Sequence, residues 1–253
     1  MKNRFDELDQ RMRVYETAHD QCVLPNIYMV ARIDGRSFTR LTKEICQFEA
    51  PFDPRFRDVM YSTVRHLMQC GFNVHYGYTQ SDEISLLFSP DIDVFSRKER
   101  KYNSILAGEA SACFSVALGQ VAAFDSRISQ LPSIELVQDY FVWRQEDAHR
   151  NALNAHCYWL LRKQGETAKR ATSMLKQMLT SAKHELLFQR GQINFNDLPA
   201  WQKRGTGFYF QAMEKQGVNA KTGEPTVTTR RQLVTDDQLP YRDEYRVWLM
   251  QFL

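Results

Sequence analysis

Two aspartates stand where predicted β-strands end. The stretch "IYMVARID", residues 27–34, carries β-branched residues and ends at Asp34, just before Gly35. The stretch "YTQSDEISLLF", residues 78–88, has Asp82 in a predicted turn between two strands and Glu83 at the start of the second strand. Neighbouring carboxylates repel each other, and a pair of Mg²⁺ ions with oxygen ligands would compensate that charge. Two metals of this kind catalyse phosphoryl and nucleotidyl transfer.

The elements around these aspartates decide whether they meet. The pattern predicts strands over 27–34, 72–79, 83–88 and 121–131, with helices over 53–71 and 96–119 between them. The order β-α-β-β-α-β predicts an α+β, ferredoxin-like core, a four-stranded antiparallel sheet with two helices on one face. Strand one then lies beside the hairpin of strands two and three, and both aspartates reach the same sheet edge. On spacing alone, two ordinary turn residues explain Asp34 and Asp82 equally well.

Helix boundaries follow from local signals. Asp53 is a good N-cap, Pro54 fits the first helical position, and Gly71 is placed to end that helix. Ser96 and Glu99 have the spacing of a capping box. A short amphipathic helix is predicted over 6–18, and residues 36–52 are predicted to be irregular.

The second half of the chain has a different pattern. Residues from about 135 to 190 are predicted to be mostly helical, and the tail over 191–253 contains strand-like runs at 205–213 and 226–234. We therefore predict a catalytic core over 1–134. A helical and mixed part over 135–253 is expected to be appended to that core and packed on it.

Composition excludes several classes of protein. The chain has 253 residues, 43% of them hydrophobic and 25% charged, with a net charge of +3, which permits a polyanionic partner without requiring one. Its five cysteines are widely spaced and form no C-x-x-C motif, so we expect reduced thiols in a cytoplasmic protein. The charged N-terminus is unlike a signal peptide, and no apolar run is long enough to span a membrane.

Two segments have the composition of a nucleotide-binding site. In "DGRSFT", residues 34–39, Gly35 allows backbone amides to approach a phosphate, and Arg36 and two hydroxyls follow. The second predicted helix opens with Arg97 and Lys98, and Lys101 lies one turn on. Because cations at a helix N-terminus oppose its dipole, a docked triphosphate would explain them. A solvated basic face is the alternative.

Four motifs, in order along the chain, carry a family resemblance. They are "RIDGRSF" at 32–38, "GYTQSDEISLLF" at 77–88, "WRQEDAHRNALN" at 143–154 and "INFNDLPAWQKRGTG" at 193–207. Together they resemble the tRNA-histidine guanylyltransferase family, and in particular its bacterial and archaeal guanylyltransferase-like branch. The resemblance implies a polymerase-palm-like core, a homotetramer, and an enzyme that extends the 5′ end of a tRNA in the 3′-to-5′ direction.

The resemblance also implies roles for individual residues. Asp34, Asp82 and the Gly35 carbonyl match the metal ligands, and Glu83 matches a neighbouring catalytic acid with a supporting role. The matches to the nucleotide-binding segments are Asp34, Gly35, Arg36, Ser37, Phe38, Thr39, Ser81, Asp82, Arg97, Lys98 and Lys101. The matches to positions associated with tRNA are His149, Asn151, Lys183 and Asn194.

Further RNA contacts are suggested by residue type alone. Lys203 and Arg204, in "QKRG", could meet RNA phosphates, although a solvated surface explains them equally well. Trp143, Trp159 and Trp201 could stack on bases, although tryptophan more often packs in a core.

Two departures from the eukaryotic family pattern indicate the reaction. The helical motif reads "HRNALNA" and departs from the eukaryotic motif, which is approximately H-I-N-N-L-Y-N. Ala50 occupies a position where eukaryotic members have a basic residue. We therefore predict template-dependent repair of tRNA 5′ ends with Mg²⁺ and nucleoside triphosphates, after activation of a monophosphorylated end by ATP or GTP. Guanosine addition to histidine tRNA is the alternative within the family.

Two alternatives belong to other classes. A nucleotide cyclase-type enzyme would use the same acids without a tRNA. A non-catalytic RNA-binding module shares the β-α-β-β-α-β topology, but its central-strand aromatic residues are missing from "VARID".

Overall fold

A computed structural model describes residues 4–218 and 225–253. Its strands are β1 (Tyr28–Gly35), β2 (Val74–Gln80), β3 (Glu83–Phe88), β4 (Phe124–Leu131), β5 (Thr206–Val218) and β6 (Pro225–Asp236). Its helices are α1 (Arg4–Thr17), α2 (Phe38–Arg40), α3 (Pro54–Leu67), α4 (Glu99–Leu118), α5 (Ile134–Lys163), α6 (Ala168–Leu175), α7 (Thr180–Gly191), α8 (Ala200–Arg204) and α9 (Asp243–Leu249). Short 3₁₀ turns lie at Val94–Arg97, Phe195–Asp197 and Met250–Phe252. None of the helices in these ranges is long and apolar enough to cross a membrane.

The six strands form one antiparallel sheet in the order β4-β1-β3-β2-β5-β6. The first four strands begin and end within three residues of the predicted boundaries, and β1 lies beside β3 as expected. Both predicted strand-like runs of the tail are strands. Because β5 pairs with β2, the C-terminal part extends the sheet of the core as well as packing on it.

Each face of the sheet is covered, because successive side chains of a strand point to opposite faces. On one face, Ile33 and Ile84 belong to a core that includes residues of α3 and α4. On the other face, Val30 and Leu87 pack with residues of α5 and α9. A third apolar cluster joins the second half of α5 to α6 and α7.

Two local predictions are confirmed and three are wrong. Gly71 does not end α3, because the helix already ends at Leu67. Asp53 caps α3 by accepting a hydrogen bond from the backbone of Arg55, and Pro54 opens the helix. The expected capping box of α4 is absent from the described residues, because Ser96 has a left-handed backbone (φ 52°) and the helix begins only at Glu99. The segment 36–52, predicted to be irregular, contains α2 and a π-helical turn over Leu41–Ile45.

Candidate active site

The structure brings Asp34 and Asp82 to one edge of the sheet. Asp34 is the next-to-last residue of β1 and lies opposite Glu83, the first residue of β3. Asp82 belongs to the two-residue turn between β2 and β3. The backbone N–H of Gly35 donates to the Asp82 carbonyl over 3.1 Å, which joins the end of β1 to that turn.

Asp82 is a carboxylate without a compensating cation. Over the described residues, no lysine or arginine forms an ion pair with it, and Ser81 Oγ donates to Oδ1 at 3.0 Å. Burial, together with the charges of Asp34 and Glu83, raises the pKa of Asp82 from 3.8 to about 6. The protein therefore maintains an acidic group in a place that disfavours its charged form.

Glu83, the next residue, differs from Asp82 because two arginines compensate its charge. Arg32 Nη2 lies 2.5 Å from one of its oxygens, and Arg144 Nη1 lies 2.8 Å from the other. Arg144 comes from α5 and its side chain is 4% exposed. These ion pairs fix the start of β3 to β1 and α5, and they leave little negative charge on Glu83 for a ligand.

The charge of Asp34 is compensated more than that of Asp82 and less than that of Glu83. Its Oδ2 lies 3.5 Å from Arg32 Nη2 and 3.4 Å from Arg127 Nη2, and its side chain is 30% exposed. Both contacts are long for ion pairs, so the carboxylate remains available to a stronger cation.

The acid pair fits a magnesium ion. In the described part of the chain, no group of three or more His, Cys, Asp or Glu side chains is arranged to hold a metal. Mg²⁺ needs no such group, since it commonly binds through one or two carboxylates while waters and substrate phosphates complete its shell. The uncompensated charge of Asp82 and the weakly paired Asp34 provide such a donor set.

A cleft of about 230 Å³ opens beside Asp82. It is lined by four of the predicted nucleotide-binding residues, Phe38, Thr39, Ser81 and Asp82. Aromatic side chains from three separate segments also line it: Phe52, Trp159 and Trp201. Two cations complete the lining, with Lys43 Nζ 4.7 Å from the Trp159 ring centre and the Arg57 guanidinium 4.9 Å from that of Trp201.

Lys43, Arg57 and Phe52 were missed from the sequence. The stacking alternative considered for Trp159 and Trp201 agrees with their place in the lining. For Lys43, Arg57 and Phe52, the sequence offers only a stretch around the start of α3 that contains several phenylalanines and cations. That signal is not distinctive.

A second cleft of about 230 Å³ shares Pro51, Phe52, Gln80, Ser81 and Asp82 with the first. Ser81, Asp82 and Glu83 line it, together with Arg144 and Asn151 from α5. Its lining is more polar than that of the first cleft. Asp82 therefore borders both clefts.

The loop after β1 depends on Gly35. A Cβ atom at this position would lie 2.4 Å from the Phe38 ring, which packs between Phe114 and Phe124. Arg36 and Ser37 are exposed, and Ser37 has a left-handed backbone (φ 62°). The glycine allows Phe38 to fold back under the aspartate.

The predicted triphosphate cluster is not beside the carboxylates. Glu99, at the start of α4, accepts a hydrogen bond from Gln130, which lies opposite Met29 near the start of β1. Met29 is five residues before Asp34, which corresponds to about 16 Å along a strand. Within one chain, the cations at the start of α4 therefore lie apart from the carboxylates, and their binding of a triphosphate stays a prediction.

Arg97 has a structural role instead. Its side chain is buried, and its guanidinium donates to the carbonyls of Val23, Ile27, Pro90 and Ile92. Lys98 forms an ion pair of 2.8 Å with Asp20, and Lys101 Nζ lies 6.0 Å from the ring centre of Phe95. These bonds occupy four of the five N–H donors of Arg97, and its contact with a nucleotide stays a prediction.

The predicted tRNA-binding residues lie around α5, α7 and α8. Asn151 is exposed and donates to Asp147 at 3.1 Å, and Lys183 Nζ donates to Asn154 at 3.0 Å. Asn194 is exposed and caps the Phe195–Asp197 turn.

His149, Lys203 and Arg204 lie close to one another near Tyr241. The His149 ring stacks on that of Tyr241 at 5.1 Å, and burial, followed by the charge of His184, lowers the pKa of His149 to about 4. Arg204 donates to the Leu239 carbonyl at 3.3 Å. The surface role of Lys203 is wrong, since the residue is 6% exposed and its Nζ donates to the Asn196 carbonyl.

Two family models match consecutive parts of the chain. The model described as tRNAHis guanylyltransferase matches residues 9–132, and the one described as the Thg1 C-terminal domain matches residues 135–244. A probable tRNA(His) guanylyltransferase of Drosophila melanogaster is 34% identical over 196 residues, which are 74% of this chain and 68% of that protein.

Solved structures of bacterial tRNA(His) guanylyltransferase (Thg1)-like proteins match nearly the whole chain. One in complex with ATP gives a TM-score of 0.78 at 26% identity, covering 97% of this chain and 98% of that one. Another in complex with GTP gives 0.74 at 28% identity, covering 98% and 99%. These similarities identify the chain as a nucleotidyltransferase. It belongs to the tRNA(His) guanylyltransferase family, as its four motifs predicted.

Proposed function

We propose that this protein extends the 5′ end of a tRNA in the 3′-to-5′ direction and chooses each nucleotide by its template base. The observation that carries the proposal is the position of Asp82, an uncompensated carboxylate that lies next to Asp34 and borders two clefts. A reaction between a nucleotide and a polymer end requires two binding sites that meet at one set of acids. A cyclase-type enzyme, which binds one nucleotide, has no use for the second cleft.

The aromatic cleft suits a nucleoside triphosphate. Phe52, Trp159 and Trp201 provide flat apolar surfaces for a base, and Lys43 and Arg57 provide positive charge for phosphates. The predicted contacts from Phe38 and Thr39 belong to the same lining. We assign the incoming nucleotide to this cleft.

The polar cleft suits the end of a nucleic acid. Asn151 and Arg144 line it on the side of α5, and His149 and Arg204 lie farther along that part of the molecule. We assign the 5′ end of the tRNA to this cleft. Glu83, which is held by two arginines, positions the turn that carries Asp82, and we give it no direct contact with the reacting atoms.

Asp34, Asp82 and the Gly35 carbonyl would hold Mg²⁺, which supplies activation of a 3′-hydroxyl and neutralisation of phosphate charge when bound. The 3′-hydroxyl of the incoming nucleotide then loses its proton, and its oxygen bonds to the phosphorus that is attached to the 5′ oxygen of the tRNA. Pyrophosphate leaves from a 5′-triphosphate end, and a nucleoside monophosphate leaves from an end previously activated by ATP or GTP.

The palm-like and ferredoxin-like description of the core is also part of the proposal. Its support is the strand order β4-β1-β3-β2, with α3 and α4 on one face. The homotetramer and the cytoplasmic location follow from the resemblance and from the reduced cysteines, and remain predictions.

The test is a nucleotide-addition assay with purified protein. A tRNA transcript that lacks its first nucleotide is incubated with Mg²⁺ and one labelled nucleoside triphosphate at a time. Incorporation at the 5′ end is expected, with loss of activity in Asp34→Asn and Asp82→Asn. A small cyclic product from nucleotide alone would favour the cyclase alternative, and absence of any turnover would favour the RNA-binding module.

Guanosine addition remains the second candidate. The observation in its favour is the name of the Drosophila relative, which is a probable tRNA(His) guanylyltransferase. The two activities differ in whether the opposing base decides the product.

A further inference from the structure

Two arginines beside the polar cleft have no acid partner in the part of the chain that the structure describes. The guanidinium carbons of Arg204 and Arg242 lie 5.3 and 5.0 Å from the ring centre of Tyr241, which lies two residues before α9. The His149 ring stacks on the same tyrosine at 5.1 Å. We call these four side chains the Tyr241 cluster.

The charges around this cluster are positive. Burial and then the charges of four groups lower the pKa of His149 to about 4, and these groups are His184, Lys203, Arg204 and Arg242. Each of them is a cation or becomes one on protonation, and none of them is an acid. Like charges held together repel each other, and a bound anion would compensate that repulsion.

The backbone of Arg242 has a conformation that suits glycine. Its φ of 56° and ψ of −121° are those of the first central residue of a type II′ turn, where glycine predominates. A residue with a side chain is strained there. Arg242 is exposed, and its guanidinium has no hydrogen-bond or ion-pair partner among residues 4–218 and 225–253. Contacts within the described chain therefore do not explain an arginine at this position.

The cluster borders the polar cleft. Tyr78 and Ala148 line that cleft. Tyr78 donates its hydroxyl to the Arg204 carbonyl over 2.9 Å, and Ala148 precedes His149 in α5. A polymer whose end occupies the cleft therefore passes close to these cations.

The residue types of the cluster indicate a phosphate. A guanidinium presents parallel N–H donors that match two phosphate oxygens, which an ammonium group does not. The Tyr241 ring attracts both guanidinium groups and fixes them on one side of the cleft. Arginines interleaved with aromatic rings are typical of surfaces that bind nucleic-acid strands.

We infer that Arg204 and Arg242, positioned by Tyr241, bind a backbone phosphate of the RNA strand whose 5′ end occupies the polar cleft. The inference rests on the proposed assignment of that cleft to the tRNA. It gives the segment before α9 a function in substrate binding. The triphosphate of a free nucleotide is the other source of phosphate for this cluster, and the experiments distinguish the two.

The first test compares two substitutions that each remove one positive charge. Arg242→Ala removes an arginine without an acid partner, and Arg246→Ala removes one that forms an ion pair with Asp139. Binding of a tRNA transcript to the full chain is measured without nucleotide over a range of salt concentrations. Arg242→Ala should weaken binding about tenfold at about 0.1 M salt. It should also reduce the slope of the logarithm of the association constant against that of salt by about one, whereas Arg246→Ala should change neither quantity.

Nucleotide affinity distinguishes the two sources of phosphate. The Kd values for ATP and GTP, measured by equilibrium dialysis, should be the same for the wild type and Arg242→Ala. Weaker nucleotide binding together with unchanged tRNA binding would overturn the inference and assign the cluster to a triphosphate.

Neutral linkages in the RNA locate the phosphate. Synthetic acceptor-stem hairpins carry a methylphosphonate at one of the first three linkages from the 5′ end, one linkage per hairpin. One of these hairpins should bind the wild type about tenfold more weakly than the unmodified hairpin, and Arg242→Ala should cause no further loss with that hairpin. An undiminished effect of Arg242→Ala on all three hairpins would contradict the inference.

Two further variants separate binding from stability. Arg242→Gly should bind tRNA as weakly as Arg242→Ala but melt at a higher temperature, because glycine adopts this backbone conformation without strain. Tyr241→Phe keeps the ring and should bind tRNA as the wild type does, whereas Tyr241→Ala should resemble Arg242→Ala. Wild-type tRNA binding by Arg242→Gly would mean that the arginine has no part in binding.

The outcomes also separate this inference from the proposed reaction. Equal tRNA affinity and salt slope for the wild type, Arg242→Ala and Arg246→Ala would overturn the inference alone, since nucleotide addition is measured in its own assay. An equal loss in both variants would indicate a general effect of charge and would overturn it as well. A wild-type chain that does not bind tRNA would overturn both.

Discussion

Asp82→Asn should make the protein more stable and inactive at the same time. The pKa of Asp82 is raised from 3.8 to about 6, chiefly by burial, so the ionised form is disfavoured in the folded protein. A shift of about two units corresponds to about 3 kcal/mol, at roughly 1.4 kcal/mol per unit. Asparagine retains the size of the side chain and removes this cost.

The effect depends on pH in a defined direction. Between pH 3.8 and about 6 the folded chain holds the Asp82 proton more tightly than the unfolded chain, so wild-type stability falls as pH rises. Above about pH 6 the full cost is present. The stability difference between Asp82→Asn and wild type should therefore be near zero at pH 4 and largest at pH 8.

Urea unfolding in the presence of EDTA measures this difference. We expect Asp82→Asn to be more stable than wild type by 2–3 kcal/mol at pH 8, with no gain at pH 4. Addition of Mg²⁺ should stabilise wild type and leave Asp82→Asn unchanged. A variant no more stable than wild type at pH 8, or equally stabilised at both pH values, would refute the reasoning.

Three further substitutions test neighbouring assignments. Glu83→Gln should lower the free energy of unfolding in urea by about 2 kcal/mol, because it removes the acid that Arg32 and the buried Arg144 share and leaves Arg144 paired with Asp147 alone. Trp201→Ala should raise the KM for nucleotide about tenfold in steady-state assays, whereas Trp143→Ala, at a tryptophan outside both clefts, should not. Arg97→Met should lower the free energy of unfolding by about 3 kcal/mol and leave that KM unchanged, which a direct contact with triphosphate would contradict.

Much of the core could be predicted because its signals are local. Alternation over 27–34 and 78–88, and the cap formed by Asp53, depend on residues close together in sequence. The pairing of β5 with β2 could not be predicted, because the sequence of a strand does not indicate which distant strand it will pair with. The capping box at Ser96 was wrong because Arg97 is drawn inward to four carbonyls, one of them 74 residues away.

For the candidate site as well, some features could be predicted from the sequence and others could not. The meeting of Asp34 with Asp82 followed from topology alone. The difference in charge compensation between Asp82 and Glu83 could not be predicted, because the arginines that neutralise Glu83 lie 51 and 61 residues away in sequence. The aromatic cleft was missed because Phe52, Trp159 and Trp201 come from three segments that only the fold brings together.

The most direct test of the proposed function varies one base of the substrate. Four tRNA transcripts that lack the first nucleotide and differ only in the base opposite the gap are compared at one salt concentration, since phosphate contacts depend on salt. The proposal predicts that G is added opposite C and A opposite U, with each product decided by the opposing base. Addition of G at similar rates opposite all four bases would contradict it and assign the protein to guanosine addition.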